Sequence, residues 1–396
     1  MIRCVQMNRC THLFLYIKLK ITGRDNMIYL DNAATTKPKK EVIDTINQCL
    51  LYDWGNPSSL YKIGIDAKKI VEESRQTIAD LIGAKPSEII FTSGACEANS
   101  LAICGYLNSH NSGLITSYIE HKSIMNIVNE YSHKTAMIPV DKQGFIDTFV
   151  LEGALASCQF RDILVSIQFA NNEIGTIQDI KSIANIVHNY DGILHTDATQ
   201  IIPDRKIDVK ALGIDMMSFS GQKLGAPKGI GVLYVKEGIE LKPIIYGSQE
   251  NSIRGGTENV PYIAGLKTAI DNLTYPTSDL RDYFVGRILS EIDDCYLVGC
   301  ELGNNRLNNN ASICFKGIES ETLLVMLDQK DIYVSSGSAC NNFSKKSSYV
   351  LEALGLPKEY LNSVVRFTFS EENTKEEIDT VITELKKIIC ALKLFN

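Results

Sequence analysis

Met216-Met217-Ser218-Phe219-Ser220-Gly221-Gln222-Lys223-Leu224-Gly225-Ala226-Pro227-Lys228-Gly229 opens as an apolar strand and breaks at a polar lysine into a turn punctuated by Gly and Pro. A second strand follows, Ile230-Gly231-Val232-Leu233-Tyr234-Val235. A lysine framed between two such strands suits an amine that attacks an aldehyde and stays bound as a Schiff base. That amine must shed its proton, which needs a partly dry and rigid setting. The same segment equally suits an ordinary solvated lysine in a hairpin.

Upstream, Gly192-Ile193-Leu194-His195-Thr196-Asp197-Ala198-Thr199-Gln200 is a short apolar strand that delivers Asp197 to its C-terminal end. A carboxylate there can keep the ring nitrogen of a pyridoxal cofactor protonated, which the ring needs in order to draw electrons. Asp197 and Lys223 would then hold the two ends of one cofactor. The alternative is an aspartate that caps the following turn or helix.

Outward from these two segments, short apolar runs alternate with helical patterns, so the chain is expected to be α/β, a mostly parallel sheet wrapped by helices. The runs include Glu88–Thr92, Leu114–Thr116, Ile163–Ile167 and Ile193–Leu194. Ligands of such sheets bind beyond the C-terminal strand ends. His121, Asn172, Asp197 and Lys223 each follow a run, which predicts one crevice holding all four. Near Pro276 the alternation gives way to a helix and shorter strands, and a capping box, Thr374 with Glu377, opens a last helix.

Six further segments share the chain with these two: Tyr29-Leu30-Asp31-Asn32-Ala33-Ala34-Thr35-Thr36, Gly55-Asn56-Pro57-Ser58-Ser59, Phe91-Thr92-Ser93-Gly94-Ala95-Cys96-Glu97-Ala98-Asn99, Glu120-His121-Lys122, Asn171-Asn172-Glu173-Ile174-Gly175 and Ser335-Ser336-Gly337-Ser338-Ala339-Cys340. Arg254-Gly255-Gly256-Thr257 adds another. Taken in chain order, from Met27 onward, these segments make the chain resemble a pyridoxal-phosphate cysteine desulfurase of the NifS/IscS group, within the fold-type I aminotransferase superfamily.

The resemblance implies a fold-type I architecture, with an N-terminal segment 27–41 packing on a small domain, a large cofactor-binding domain 42–276 and a small α+β domain 277–396. It implies pyridoxal 5'-phosphate as cofactor and L-cysteine as substrate. The phosphate is expected where Ser93-Gly94-Ala95 turns into the helix of Glu97 to Tyr106, because free backbone N–H groups and the helix dipole favour an anion there. Cys96 stands where relatives usually carry a threonine hydroxyl, and Gln222 where they carry a histidine. A thiol is a poor donor, so one lost hydroxyl bond costs about 0.5 to 1.5 kcal/mol. Ser220 would supply a further contact, and Thr257 another from a second subunit of a homodimer whose site lies at the interface.

By the same resemblance, His121 stacks on the pyridine ring and exchanges protons with the substrate, while Asn172 and Gln200 hydrogen-bond the cofactor and its surroundings. Standing alone, His121 equally fits a surface or helix-cap residue. Arg366 is a charge inside an apolar strand, Val364-Val365-Arg366-Phe367-Thr368-Phe369, and a buried charge is expensive unless paired. A substrate carboxylate in a two-nitrogen grip would satisfy it; so would a structural salt bridge within the small domain.

Cys340 lies in a polar stretch that is expected to be a mobile loop, ahead of a helix starting near Ser348. The implied reaction moves sulfur from L-cysteine onto the Cys340 thiolate as a persulfide, releases alanine, and passes the sulfur to an acceptor protein. Lys345 and Lys346 would help to lower the thiol pKa. A selenocysteine lyase, an aminotransferase or a non-catalytic scaffold are the competing functions.

The 396 residues suffice for a large core in more than one domain, and a formal net charge of -7 argues against a general binder of nucleic acid or anionic membrane. The 11 cysteines, without CxxC pairs or metal-ligand spacing, point to reduced thiols in the cytoplasm and to no metal site. Residues 1–26 stand apart. Their apolar run Leu13–Ile17 is too short to span a bilayer, and the stretch fits a start-site extension or an organellar presequence.

Overall fold

The computed structural model describes residues 27–337 and 347–395. The strands among these described residues are β1 (Ile28–Tyr29), β2 (Ile89–Thr92), β3 (Ser112–Ser117), β4 (Thr135–Ile138), β5 (Asp162–Ser166), β6 (Ile193–Asp197), β7 (Met216–Ser220), β8 (Gly231–Val235), β9 (Cys295–Leu297), β10 (Asn310–Phe315), β11 (Ile332–Tyr333), β12 (Ser335–Ser336) and β13 (Val364–Thr368). Seven form one sheet in the order β2-β8-β7-β6-β5-β3-β4, parallel except that β8 runs antiparallel to both β7 and β2.

The strand pleat sorts this sheet's side chains onto two covered faces. Ile89, Phe91, Val165, Met217, Phe219, Val232 and Tyr234 enter the largest core, while the intervening Ile90, Leu164, Met216, Leu233 and Val235 enter a second one under the helix Ala95–Ser109. Burial on both faces explains why these strands are near-continuous apolar runs. A glycine is required at 231: a Cβ there would come within 2.5 Å of the Gly94 Cα, so only Gly231 lets β8 pass beside the start of that helix.

The antiparallel sheet β12-β13-β10-β9 and the parallel pair β1-β11 lie in the rest of the chain. Their core gathers Ile28 and Leu30 with Phe284, Ile313, Phe367 and, from the last helix, Ile382 and Leu385. That helix, Lys375–Phe395, begins with the expected capping box: Glu377 Oε2 accepts from Thr374 N–H at 3.1 Å, and Thr374 Oγ1 accepts from Glu377 N–H at 3.2 Å. A small cluster joins the two regions, with Ile119 and Ile174 packed on Val298, Cys314, Val350 and Val364. Among the described residues no helix is long and apolar enough to cross a membrane.

Candidate active site

Strands β7, β6, β5 and β3 are consecutive neighbours in the sheet, and their C-terminal ends lead to Lys223, Asp197, Asn172 and His121 in turn. The sheet order thus brings together at one edge the four residues singled out in the sequence. The β7–β8 pair is an antiparallel hairpin, with Ser220 opposite Gly231. Lys223 nonetheless is half-buried: its Nζ donates to the Ala33 carbonyl at 2.5 Å and to that of Ala34. The Gln200 amide also donates to Ala33, at 3.0 Å.

Asp197 is buried at 3% exposure. Its Oδ2 accepts from the Asn99 amide at 2.8 Å and its Oδ1 from Thr199 N–H at 3.0 Å, so it does brace the turn that follows β6 while facing the helix Ala95–Ser109. Asn99 sits one helical turn beyond Ala95, on the same face. Its amide also reaches Ser123 Oγ at 2.9 Å, while its own Oδ1 is buried without a protein partner, as is Thr199 Oγ1.

His121 caps the helix Lys122–Glu130, as one reading of its sequence allowed, and its ring is held in place by that role. Ser123 N–H donates to Nδ1 at 3.2 Å, with Ser123 Oγ at 2.9 Å, which puts the ring proton of the neutral form on Nε2. Burial holds the imidazole below its ordinary pKa, and Lys223 and Lys122 push the same way against Asp197. Beside it, Glu120 is wholly buried and its carboxyl is pushed up to about 8, chiefly by that burial.

Ser93-Gly94-Ala95 forms the start of the helix Ala95–Ser109, which runs longer at both ends than the sequence indicated. A Cβ built on Gly94 would meet no atom within 4 Å, so the helix N-terminus opens onto free space. One neighbouring donor is spoken for, since Ser93 N–H bonds Glu97 Oε2 at 2.7 Å and Glu97 pairs with Arg254 at 2.8 Å. The Cys96 thiol lies within hydrogen-bond reach of Ser123. Burial and Asp197 raise its pKa, and Ser123 and Lys223 lower it. Ser220 is buried at the end of β7, and the Gln222 side chain turns to the N-terminal segment, where its Oε1 accepts from Thr35 at 3.1 Å. Thr257 is exposed and shares a cleft with Ser93, Arg254 and Gly256.

Arg366 is 5% exposed in the middle of β13, and its partners lie outside the C-terminal region. Nη2 pairs with Asp31 at 2.7 Å, and Nη1 donates to the Asn172 carbonyl at 2.9 Å, while Nε is buried without a protein partner. The pairing is therefore a salt bridge, but to the N-terminal segment. Cys340, Lys345 and Lys346 lie outside the described residues, and Ser348 caps the helix Tyr349–Ala353 as expected. The sequence did not assign roles to Asn99, Ser123, Asp31, Glu120 or Glu173. For Asn99 the signal was its helical spacing from Ala95; the others take their places through contacts distant in the chain.

Residues 28–381 match the family described as Aminotransferase class-V. Among curated proteins, the chain is 40% identical over 383 residues to a cysteine desulfurase IscS of Dictyoglomus turgidum, covering 93% of this chain and 96% of that one. It is 38% identical over 389 residues to the cysteine desulfurase IscS of Methanosarcina thermophila, covering 94% of each. Among solved structures, a NifS-like protein from Rickettsia africae superposes with a TM-score of 0.84 at 32% identity, over 92% of this chain and 99% of that one. The structure described as SspA in complex with cysteine gives 0.75 at 32% identity, over 86% and 98%. The fold, with its mostly parallel seven-stranded sheet, is that of the NifS-like structures, and the chain belongs to the aminotransferase class-V family.

Proposed function

We infer that this protein is a cysteine desulfurase that uses pyridoxal 5'-phosphate to convert L-cysteine to L-alanine and carries the sulfur away as a persulfide on Cys340. The observation that carries this reading is that the ends of four neighbouring strands lead to Lys223, Asp197, Asn172 and His121, in a chain matched along nearly its whole length by cysteine desulfurases.

The residues present fit the cofactor. Gly94 leaves an open cradle at a helix N-terminus, which suits a phosphate; Ala95 and Cys96 begin that helix, and Ser220 and Gln222 would reach the phosphate from the end of β7, the glutamine by leaving Thr35. Asp197 is a buried carboxylate already oriented by Asn99, which suits a protonated ring nitrogen. Lys223 is the amine that would hold the aldehyde carbon, with Asn172 and Gln200 as flanking amides. When bound, pyridoxal phosphate supplies an electron sink for the substrate Cα.

The chain's own groups do the rest. Asp197 keeps the ring nitrogen charged. His121 moves a proton at Nε2, and its depressed pKa keeps the ring neutral near pH 7. Arg366 would grip the substrate carboxylate with its guanidinium, which Asp31 and the Asn172 carbonyl hold in place. The Cys340 thiolate attacks the substrate sulfur: an S–S bond forms, the C–S bond breaks, and its electron pair stays with the carbon skeleton, which takes up a proton to become alanine.

A second copy of the chain completes the site and brings its own Thr257 to the phosphate. Exposed Leu50, Leu51, Tyr52, Trp54, Leu60 and Tyr61 support such a covered face. The core that joins Ile28 and Leu30 to the C-terminal strands supports a small domain 277–396 packed with segment 27–41, against a large domain 42–276. The sulfur passes from Cys340 to an acceptor protein in the cytoplasm, where a reducing medium keeps the cysteines as thiols.

The test feeds sulfur-labelled L-cysteine to the wild type and to Cys340→Ser, maps the label by non-reducing peptide mass spectrometry and measures alanine. Label on the Cys340 peptide with alanine in proportion is expected, and the serine variant should bind cofactor and substrate but form almost no persulfide. Full alanine production by Cys340→Ser, or label settling on Cys96, overturns the reading.

A further inference from the structure

The turn Asn171–Gly175 carries a buried carboxyl that no step above uses. Asn171 Oδ1 fixes the turn by accepting from the N–H groups of Glu173 at 2.8 Å and Ile174 at 3.1 Å. The Glu173 carbonyl takes the Ser312 hydroxyl from β10, so the residue is locked at both ends of its backbone. Its side chain points at the two places where the chain enters and leaves the Cys340-bearing stretch. Ser348 Oγ donates to Glu173 Oε2 at 2.5 Å and, as the cap of the next helix, accepts from Leu351 N–H at 3.4 Å. From the other side Gly337 passes so close that a Cβ on it would lie 2.3 Å from the same Oε2. One residue earlier in the turn, the Asn172 carbonyl holds Arg366.

We propose that Glu173 is a positioning residue for sulfur transfer. Its carboxyl fixes Gly337 and Ser348 against the turn that also holds Arg366, so that the thiol departs from anchors in register with the bound substrate. This rests on the reading of Cys340 as the sulfur acceptor. A thiol and a substrate sulfur must meet within near-attack distance, and small misplacements of the supporting frame are felt steeply in rate. The buried carboxyl of Glu173, pushed up to about 7 by burial against the pull of Ser348, Arg366 and Lys122, is an unusual choice for a mere packing element.

The test compares wild type, Glu173→Ala, Glu173→Gln and Ser348→Ala, each loaded with pyridoxal phosphate. Cofactor content, the absorbance change on adding L-cysteine, and the rate of persulfide appearance on Cys340 are read separately. Glu173→Ala is expected to bind cofactor and substrate as wild type does but to form the persulfide about tenfold or more slowly. Glu173→Gln, which keeps the shape and an acceptor for Ser348, recovers most of the rate. Ser348→Ala, which removes only the hydroxyl, slows persulfide formation in the same selective way and carries the test if Glu173→Ala does not fold. Persulfide formation at the wild-type rate in Glu173→Ala or Ser348→Ala, or equal losses of binding and transfer, overturns the inference alone. A wild type with no persulfide on Cys340 overturns the underlying reading and this inference with it.

Discussion

Arg75 grips Glu250 with both guanidinium nitrogens, Nη1 to Oε2 at 2.8 Å and Nη2 to Oε1 at 2.9 Å. The pair is almost wholly buried, and Glu250 Oε2 also accepts from Phe91 N–H at 2.9 Å. Glu250, Asn251 and Ser252 have φ of 45°, 57° and 64°, three successive left-handed residues without a glycine, each unfavourable by about 1 to 2 kcal/mol. The ion pair therefore ties a strained turn to the edge of the sheet, just ahead of Arg254 and Thr257. Glu250→Ala removes the two-pronged partner of Arg75 and leaves it the Ile89 carbonyl at 2.7 Å and Glu72 at 3.3 Å, so denaturant unfolding should show a loss of about 1.5 to 3 kcal/mol. A loss under 1 kcal/mol would mean that solvent reaches the arginine readily.

Borohydride reduction of the cofactor-loaded protein should fix the cofactor on the peptide containing Lys223. The amine stands half-buried against Ala33 at the mouth of the crevice, whereas Lys228 lies beyond the turn on an exposed position. Peptide mass spectrometry reads the result, and Lys223→Ala should abolish the adduct. An adduct on Lys228 contradicts the assignment.

Cys96→Thr places a hydroxyl where the helix N-terminus opens beside Gly94. If that hydroxyl reaches the phosphate, equilibrium titration should show pyridoxal phosphate bound more tightly by up to about 1.5 kcal/mol, roughly tenfold. Ser123 already lies within reach of the Cys96 side chain, so it is the competing partner. Unchanged or weaker affinity means that the new hydroxyl bonds Ser123 instead.

What the sequence reveals and what it hides follow from the range of each interaction. The crevice is legible because β3, β5, β6 and β7 each end in a polar residue after an apolar run, and parallel strands present those ends on one edge. The Thr374–Glu377 box is legible because both partners lie within one helical turn. The pairing of Arg366 with Asp31 joins opposite ends of the chain, and no local periodicity encodes it. Glu173 looks from its neighbours like any turn residue until Ser348 arrives from the far side of the fold. His121 satisfies a structural role as cap and stands in the crevice as well, so its two sequence readings do not exclude each other.

The buried carboxyl of Glu120 gives the stability of the protein a pH dependence of definite sign. Oε1 accepts from Ser117 Oγ at 2.5 Å and from Gln168 N–H at 3.0 Å, while Oε2 is buried without a protein partner. Burial outweighs the two hydrogen bonds, Asp197 adds to it, and the carboxyl rises from 4.5 to about 8. Between those two values the folded protein holds a proton that the unfolded chain has lost, so stability present below pH 4.5 drains away as pH rises towards 8. His195 acts in the opposite sense. Burial lowers it from 6.5 to about 4, so the unfolded chain takes up the extra proton and stability rises with pH across that interval. Above pH 7 the His195 contribution has ended, that of Glu173 is fading, and that of Glu120 remains. From pH 7 to 8 the wild type should therefore lose about 1 kcal/mol more stability than Glu120→Gln, which keeps an acceptor for Ser117 and Gln168 but cannot ionise. Urea unfolding of both proteins at the two pH values measures the difference directly, and other titrating groups cancel in the comparison. Equal slopes would mean that Glu120 is already ionised at pH 7 and that a charge sits behind His121.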